Sequence, residues 1–149
     1  MASNISIIVE RTYDTPIEKA WKAITDKDEM KKWYFDIKSF EPKPGFEFEF
    51  MGGDKEGVEY HHLCKVIEAI PNKKLSHSWR YKGYPGESKV TWDLKAEGNK
   101  TTVKLTHEGL ETFPQEGAFA RENFVEGWNY ILSRSLEDYL ASNQTNAFV

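Results

Sequence analysis

One cysteine in 149 residues, no run of basic side chains and no long apolar stretch remove several classes of function before any motif is read. Cys64 has no second cysteine to join, so an internal disulfide is excluded and a reducing compartment suits the chain. Lys and Arg number 20 against 24 Asp and Glu, a net charge of −4. Phosphate-backbone binding draws its affinity from clustered basic side chains, so no nucleic-acid partner is expected. No window approaches the ~18 apolar residues that a membrane span needs, and Met1 to Tyr13 lacks the basic start and apolar centre of a secretion signal. A soluble, cytoplasmic protein is the expectation, and the sequons at Asn4, Asn99 and Asn143 carry no weight without secretion. There is no G-x-S-x-G, H-E-x-x-H, P-loop or dinucleotide-binding glycine run. The commonest nucleophile, zinc-protease and nucleotide chemistries therefore have no support.

Aromatic side chains are what the sequence has in excess: 14% of residues, with 5 Trp, 7 Tyr and 9 Phe. Where those rings point decides the function. Ile5 to Tyr13 is β-branched and bounded by Asp14-Thr15-Pro16, which predicts a strand ending at a helix start. Thr15 is expected as the N-cap, with Pro16 in the first helical position and Glu18 completing a capping box. Ile17, Ala20, Trp21 and Ile24 give the apolar stripe, and a second short helix follows around Asp28 to Trp33.

From Phe46 the period becomes two. Phe46, Phe48 and Phe50 alternate with Glu47 and Glu49, then Gly52-Gly53-Asp54 predicts a turn. Val58 to Ile67, Leu75 to Tyr81, Ser88 to Lys95 and Thr101 to Glu108 continue in the same way, with turns at Pro71-Asn72, Gly83 to Gly86 and Gly98-Asn99. Connections this short leave no room for crossover helices, so the sheet is an antiparallel meander. Phe124, Trp128, Ile131, Leu132, Ser135, Leu136 and Tyr139 then recur at helical spacing and predict one long helix from about Ala118 to Ala141. The expectation is a single α+β domain over residues 1–142, a curved sheet gripping a long helix, with 143–149 a frayed tail. A helix across a concave sheet leaves a space that either large side chains fill or a ligand occupies.

Several segments carry a family resemblance. They are Thr15 to Trp21 with Lys32-Trp33, Pro44-Gly45-Phe46-Glu47-Phe48, Ser78-Trp79-Arg80, Val90-Thr91-Trp92, Thr106 to Leu110, and Gly127-Trp128. In this order and spacing the chain resembles the START-like (SRPBCC) superfamily, and within it the activator of heat-shock protein 90 ATPase homologue family, of the C-terminal-domain type. The resemblance implies the helix-grip fold (START-like, Bet v 1-like). It also implies a chaperone partner and a role in stress response.

Strand parity places Tyr60, His62, Cys64 and Val66 on one face, His77 and Trp79 on the next, then Val90 and Trp92, then Val103, Leu105 and His107. The turns set a register with Val66, His77, Trp92 and Leu105 in one row and Cys64, Trp79, Val90 and His107 in another. With strands ~4.8 Å apart and ~3.3 Å per residue, Cys64 and His107 are about 14 Å apart, as are His62 and His77. No metal ligand set and no Cys64–His107 nucleophile pair survives that separation. Cys64 reads as a small buried hydrophobe, and Glu47 and Glu49 as water-facing. No cofactor is expected.

Trp33, Phe35, Phe48, Tyr60, His62, His77, Trp79, Trp92, His107 and Trp128 are the candidate cavity lining, converging from different elements beneath the long helix. Periodicity alone does not separate lining from core. The leading expectation is a binding protein for an apolar or aromatic small molecule, with Tyr60, His62 and His107 orienting it. A co-chaperone-like interaction domain is the alternative implied by the resemblance. A third is a polyketide-cyclase-like or hydrolase-like enzyme with His107 or His62 as general base. Monomer and homodimer both remain open.

Overall fold

The computed structural model describes residues 6–53, 57–115 and 117–146. Strand β1 (Ile7–Tyr13) leads into helices α1 (Ile17–Thr25) and α2 (Lys27–Trp33). Strands β2 (Glu47–Gly53), β3 (Glu59–Ile70), β4 (Lys74–Tyr81), β5 (Ser88–Glu97) and β6 (Lys100–Glu108) follow. Two short 3-10 turns, Leu110–Thr112 and Gly117–Phe119, then lead to the C-terminal helix. The six strands form one antiparallel sheet in the order β1-β6-β5-β4-β3-β2, so the two edge strands are β1 and β2. This is the α+β helix-grip arrangement that the element order predicts.

The start of α1 differs from the capping box expected for it. The cap position is Pro16, extended at φ −69° and ψ 156°, with no side-chain cap. Thr15 is pinned to the sheet instead: its N–H donates to the Tyr13 carbonyl and its own carbonyl accepts from Thr101 Oγ1 at 2.8 Å. Its buried hydroxyl finds no hydrogen-bond partner among the described residues. With Thr15 held by the sheet and Pro16 itself extended, the helix starts one position on, at Ile17. The working cap is at α2, where the Asp26 carboxylate accepts from the N–H groups of Asp28 and Glu29. Gly52 and Gly53 finish β2 rather than turning, and Asp54 lies outside the described residues.

The meander register holds at two of three interfaces. Val66 pairs with His77 and Trp92 with Leu105, as the turns imply. Between β4 and β5 the pairing is two residues away from that expected: His77 faces Val90 and Leu75 faces Trp92. Parity survives a two-residue slip, so the inner face is unchanged. His62, His77 and His107 all lie on it, and Glu47 and Glu49 are exposed. A bulge between Val66 and Glu68 bends β3.

The C-terminal helix runs in three continuous parts: α3 (Arg121–Tyr130), a π-helical turn (Ile131–Ser135) and α4 (Leu136–Asn146). It starts three residues later than expected and extends to Asn146, into the segment expected to fray; residues 147–149 lie outside the description. Phe124, Trp128, Leu132, Leu136 and Leu140 form its buried stripe, spaced by four throughout. In a regular α-helix that spacing drifts by about 40° per step. The wider π turn takes up part of the drift and keeps one stripe facing the sheet. The turn is held from below, because Tyr13 donates its hydroxyl to the Leu132 carbonyl at 2.6 Å and Ser135 Oγ donates to the Trp33 carbonyl.

Candidate functional site

The space between sheet and helix divides into two unlike parts. Its inner part is packed. Trp33, Phe48, His77 and Trp92 surround, with Tyr34 and Leu75, a void of about 10 Å³, at the lower limit of room for one water molecule. Trp33 sets its ring edge-on to Trp92 at 6.2 Å and donates its indole N–H to the Ala23 carbonyl. Each of the four candidates here is at most 7% exposed, as His62, Trp79 and Trp128 also are, and what sets the four apart is that the space they surround is too small for a ligand. By geometry they are core.

Its outer part is an open cleft of about 750 Å³ between the ends of β2 and β3 and the flank of α3. Phe35, Tyr60, His62, Trp79 and Trp128 line it, so the structure brings five of the ten candidates together. Period-two alternation puts His62 on β3 and Trp79 on β4 on the same face as diagonal neighbours, their rings 5.0 Å apart, and the helix stripe places Trp128 5.4 Å from Trp79. Tyr81, Phe119 and Phe124 extend the aromatic wall. Asn123 and Glu126 give it a polar flank, and no Lys or Arg among the described residues lines it.

Two glycines shape the opening. A Cβ on Gly52 would sit 2.8 Å from His62 Cε1 and 3.0 Å from Phe35 Cε1, so only glycine lets those rings seat behind the strand. Gly127, on the helix side, has nothing within 4 Å of where a Cβ would be. Glycine in a helix interior costs about 0.5–1 kcal/mol relative to alanine, and here it leaves the cleft its width.

His107 lines neither part. Fully buried on β6, it is held at both ring nitrogens. Trp128 Nε1 can only donate, so His107 Nδ1 accepts from it at 2.9 Å. Ser88 Oγ donates to the Trp79 carbonyl at 2.9 Å, which leaves it to accept from His107 Nε2 at 2.8 Å. Burial pushes the imidazole down to about 3, keeping it neutral with the proton on Nε2. The direction is opposite to that of a catalytic Ser–His pair, in which the ring takes the hydroxyl proton. With its lone pair given to Trp128, His107 has no free nitrogen to orient a ligand or act as a base. It ties the helix to three strands.

His62 differs. Its Nδ1–H donates to the Tyr60 carbonyl at 3.0 Å, leaving Nε2 as an acceptor, and burial pushes its pKa down to about 4. His77 donates Nδ1–H to the Ser78 carbonyl and is likewise lowered to about 4 by burial. Cys64 is buried, its thiol pushed up by desolvation, and Trp79 and Ser88 lie between its strand position and β6. Among the described residues no group of three His, Cys, Asp or Glu is placed to hold a metal ion. No helix among them is long and apolar enough to cross a membrane.

Tyr34, Tyr81, Ser88, Phe119 and Gly127 were not among the candidates. Tyr81 shares the parity of His77 and Trp79, and Ser88 that of Val90 and Trp92, so alternation carried a signal for both. Tyr34 ends α2 in an irregular conformation that no periodicity marks.

Comparison with known proteins agrees with this architecture. Protein MLL2253 from Mesorhizobium loti superposes with a TM-score of 0.73 at 24% identity, covering 93% of this chain and 98% of that one. CalU16 from Micromonospora echinospora gives 0.72 at 25%, covering 95% and 79%. Protein CV1439 from Chromobacterium violaceum gives 0.77 at 17%, covering 94% and 98%. No curated protein matches the chain. The profile described as Activator of Hsp90 ATPase homolog 1-like protein matches residues 14–141. That span takes in both α1 and the helix grip, and the chain belongs to the Activator of Hsp90 ATPase homolog 1-like family of START-like (SRPBCC) proteins.

Proposed function

We propose that this chain is a binding protein for an apolar or aromatic small molecule, held in the cleft between the sheet and α3. The cleft itself carries the reading. Its volume of about 750 Å³ falls within the ~300–1,000 Å³ of small-molecule sites, and an aromatic wall with a few polar groups is the composition such sites have. Trp79, Trp128, Tyr60 and Phe35 supply flat apolar surface, and His62 and Asn123 supply polar atoms that orient a guest. Acid–base chemistry has less behind it: His107 is spent on its two partners, and His62, lowered to about 4, is a weak base at neutral pH.

Native mass spectrometry of protein purified from cells, followed by organic denaturation, tests the reading. The expected result is one small apolar molecule per chain, released on unfolding. Bare protein that copurifies with a chaperone instead moves the assignment to the interaction role that the family description carries.

A further inference from the structure

Two neighbouring side chains in the cleft wall each keep one hydrogen-bonding position that the described protein does not use. His62 and Tyr81 both line the cleft, are each 6% exposed, and stand directly opposite one another on β3 and β4 with their rings 4.7 Å apart. His62 gives its Nδ1 proton to the Tyr60 carbonyl, and no donor among the described residues is hydrogen-bonded to Nε2. Tyr81 Oη receives the Trp79 indole N–H at 2.8 Å, and its own proton has no acceptor among the described residues. An acceptor and a donor thus face the same cleft without a hydrogen bond joining them. Buried polar positions left unpaired carry a desolvation cost that natural structures rarely retain without a use.

We propose that His62 and Tyr81 form a subsite for a neutral hydroxyl, a phenol or alcohol on an otherwise apolar ring system, which donates to His62 Nε2 and accepts from the Tyr81 hydroxyl. The proposal rests on the cleft being the ligand site and adds the group by which the ligand is read. A hydroxyl is donor and acceptor at one atom, which is what two opposed positions of unlike kind require. A ketone or ether would satisfy Tyr81 and leave Nε2 unpaired. Burial holds the His62 ring neutral, with a pKa of about 4, and raises Tyr81 so that it keeps its proton. Glu126 is the one acidic side chain among the described lining residues, exposed on α3, and its carboxylate is a rival acceptor for a ligand hydroxyl. No described Lys or Arg lines the cleft, so a ligand carboxylate or phosphate would lose hydration there without a counter-charge.

Three naphthalenes substituted at the same carbon separate this subsite from the cleft itself: 2-naphthol is donor and acceptor, 2-methoxynaphthalene is acceptor alone, and 2-methylnaphthalene is neither. In calorimetric titrations the wild-type protein is expected to bind 2-naphthol most tightly and 2-methylnaphthalene most weakly, by about two- to tenfold for each hydrogen bond made. His62→Phe keeps a ring against Phe50 and is expected to remove the advantage of 2-naphthol over 2-methoxynaphthalene. Tyr81→Phe is expected to remove that of 2-methoxynaphthalene over 2-methylnaphthalene. Nitrogen NMR of the wild-type protein reads the same contact without any variant: the His62 Nε2 resonance is expected to move upfield with 2-naphthol and to stay in place with 2-methylnaphthalene. Equal affinities for 2-naphthol and 2-methylnaphthalene, or an unmoved Nε2 resonance, overturn the subsite and leave the cleft reading standing. A preference for 2-naphthol that survives His62→Phe gives the ligand's proton to another acceptor, such as Glu126, and overturns the subsite too. Binding of none of the three compounds overturns both readings.

Discussion

Three histidines buried as neutral rings make folding stability strongly dependent on pH. His62 and His77 are lowered by burial to about 4 and His107 to about 3, against 6.5 for an unburied ring. Between those values the unfolded chain holds protons that the folded chain refuses, so stability falls as the solution is acidified. Each ring contributes about 1.4 kcal/mol per pH unit inside the window. From pH 7 to pH 5 that is about 2 kcal/mol per ring and about 5–6 kcal/mol for the three. A domain of this kind is stable by ~5–15 kcal/mol in total, so much of its margin goes before the carboxylates protonate. Urea unfolding at pH 7, 6 and 5 at constant ionic strength measures the slope, and replacing His77 by Leu should flatten it by about a third. A difference of less than about 2 kcal/mol between pH 7 and pH 5 would refute the reasoning.

Other residues make sharper local statements. Trp128→Phe leaves the buried Nδ1 of His107 without its donor, and denaturant unfolding should show a loss of about 1–3 kcal/mol. Asp26→Ala removes the side chain that caps α2, at an expected loss of about 0.5–2 kcal/mol by the same assay. Gly86 sits at φ +106°, and a Cβ there would lie 2.4 Å from the Thr112 carbonyl oxygen. Gly86→Ala should therefore cost more than about 2 kcal/mol and lower the thermal midpoint accordingly.

The elements themselves were legible because their periods are clean. Phe48 and Phe50 against Glu47 and Glu49 fixed an inner and an outer face, and parity carried His62, Trp79 and His107 to the inside without any knowledge of register. The slip between β4 and β5 was not legible, since turn positions constrain register only to the nearest allowed pairing and a shift of two leaves every face intact. The π turn went unseen because its effect is to preserve an apolar stripe. At the site, sequence identified rings on the correct face but not which would pack against one another. Trp92 fits against Trp33, Tyr34 and Trp128 and becomes core, whereas Trp79, of equal size and one strand away, meets the gap that Gly127 leaves open. That outcome depends on the height of α3 above each strand, which no local pattern encodes. His107 shows the same limit: its inward direction followed from parity, its capture by Ser88 and Trp128 from packing.

The claim that this cleft holds a small apolar molecule is tested most directly by filling it. Gly127→Leu places a side chain where nothing now lies within 4 Å, and removing a mid-helix glycine adds up to about 1 kcal/mol of helix stability. Titration of wild type and variant with the neutral probe N-phenyl-1-naphthylamine gives the answer. Saturable binding by wild type and at least a tenfold weaker affinity in a variant that is no less stable is the predicted result. Equal binding by both proteins, or none by the wild type, would contradict it.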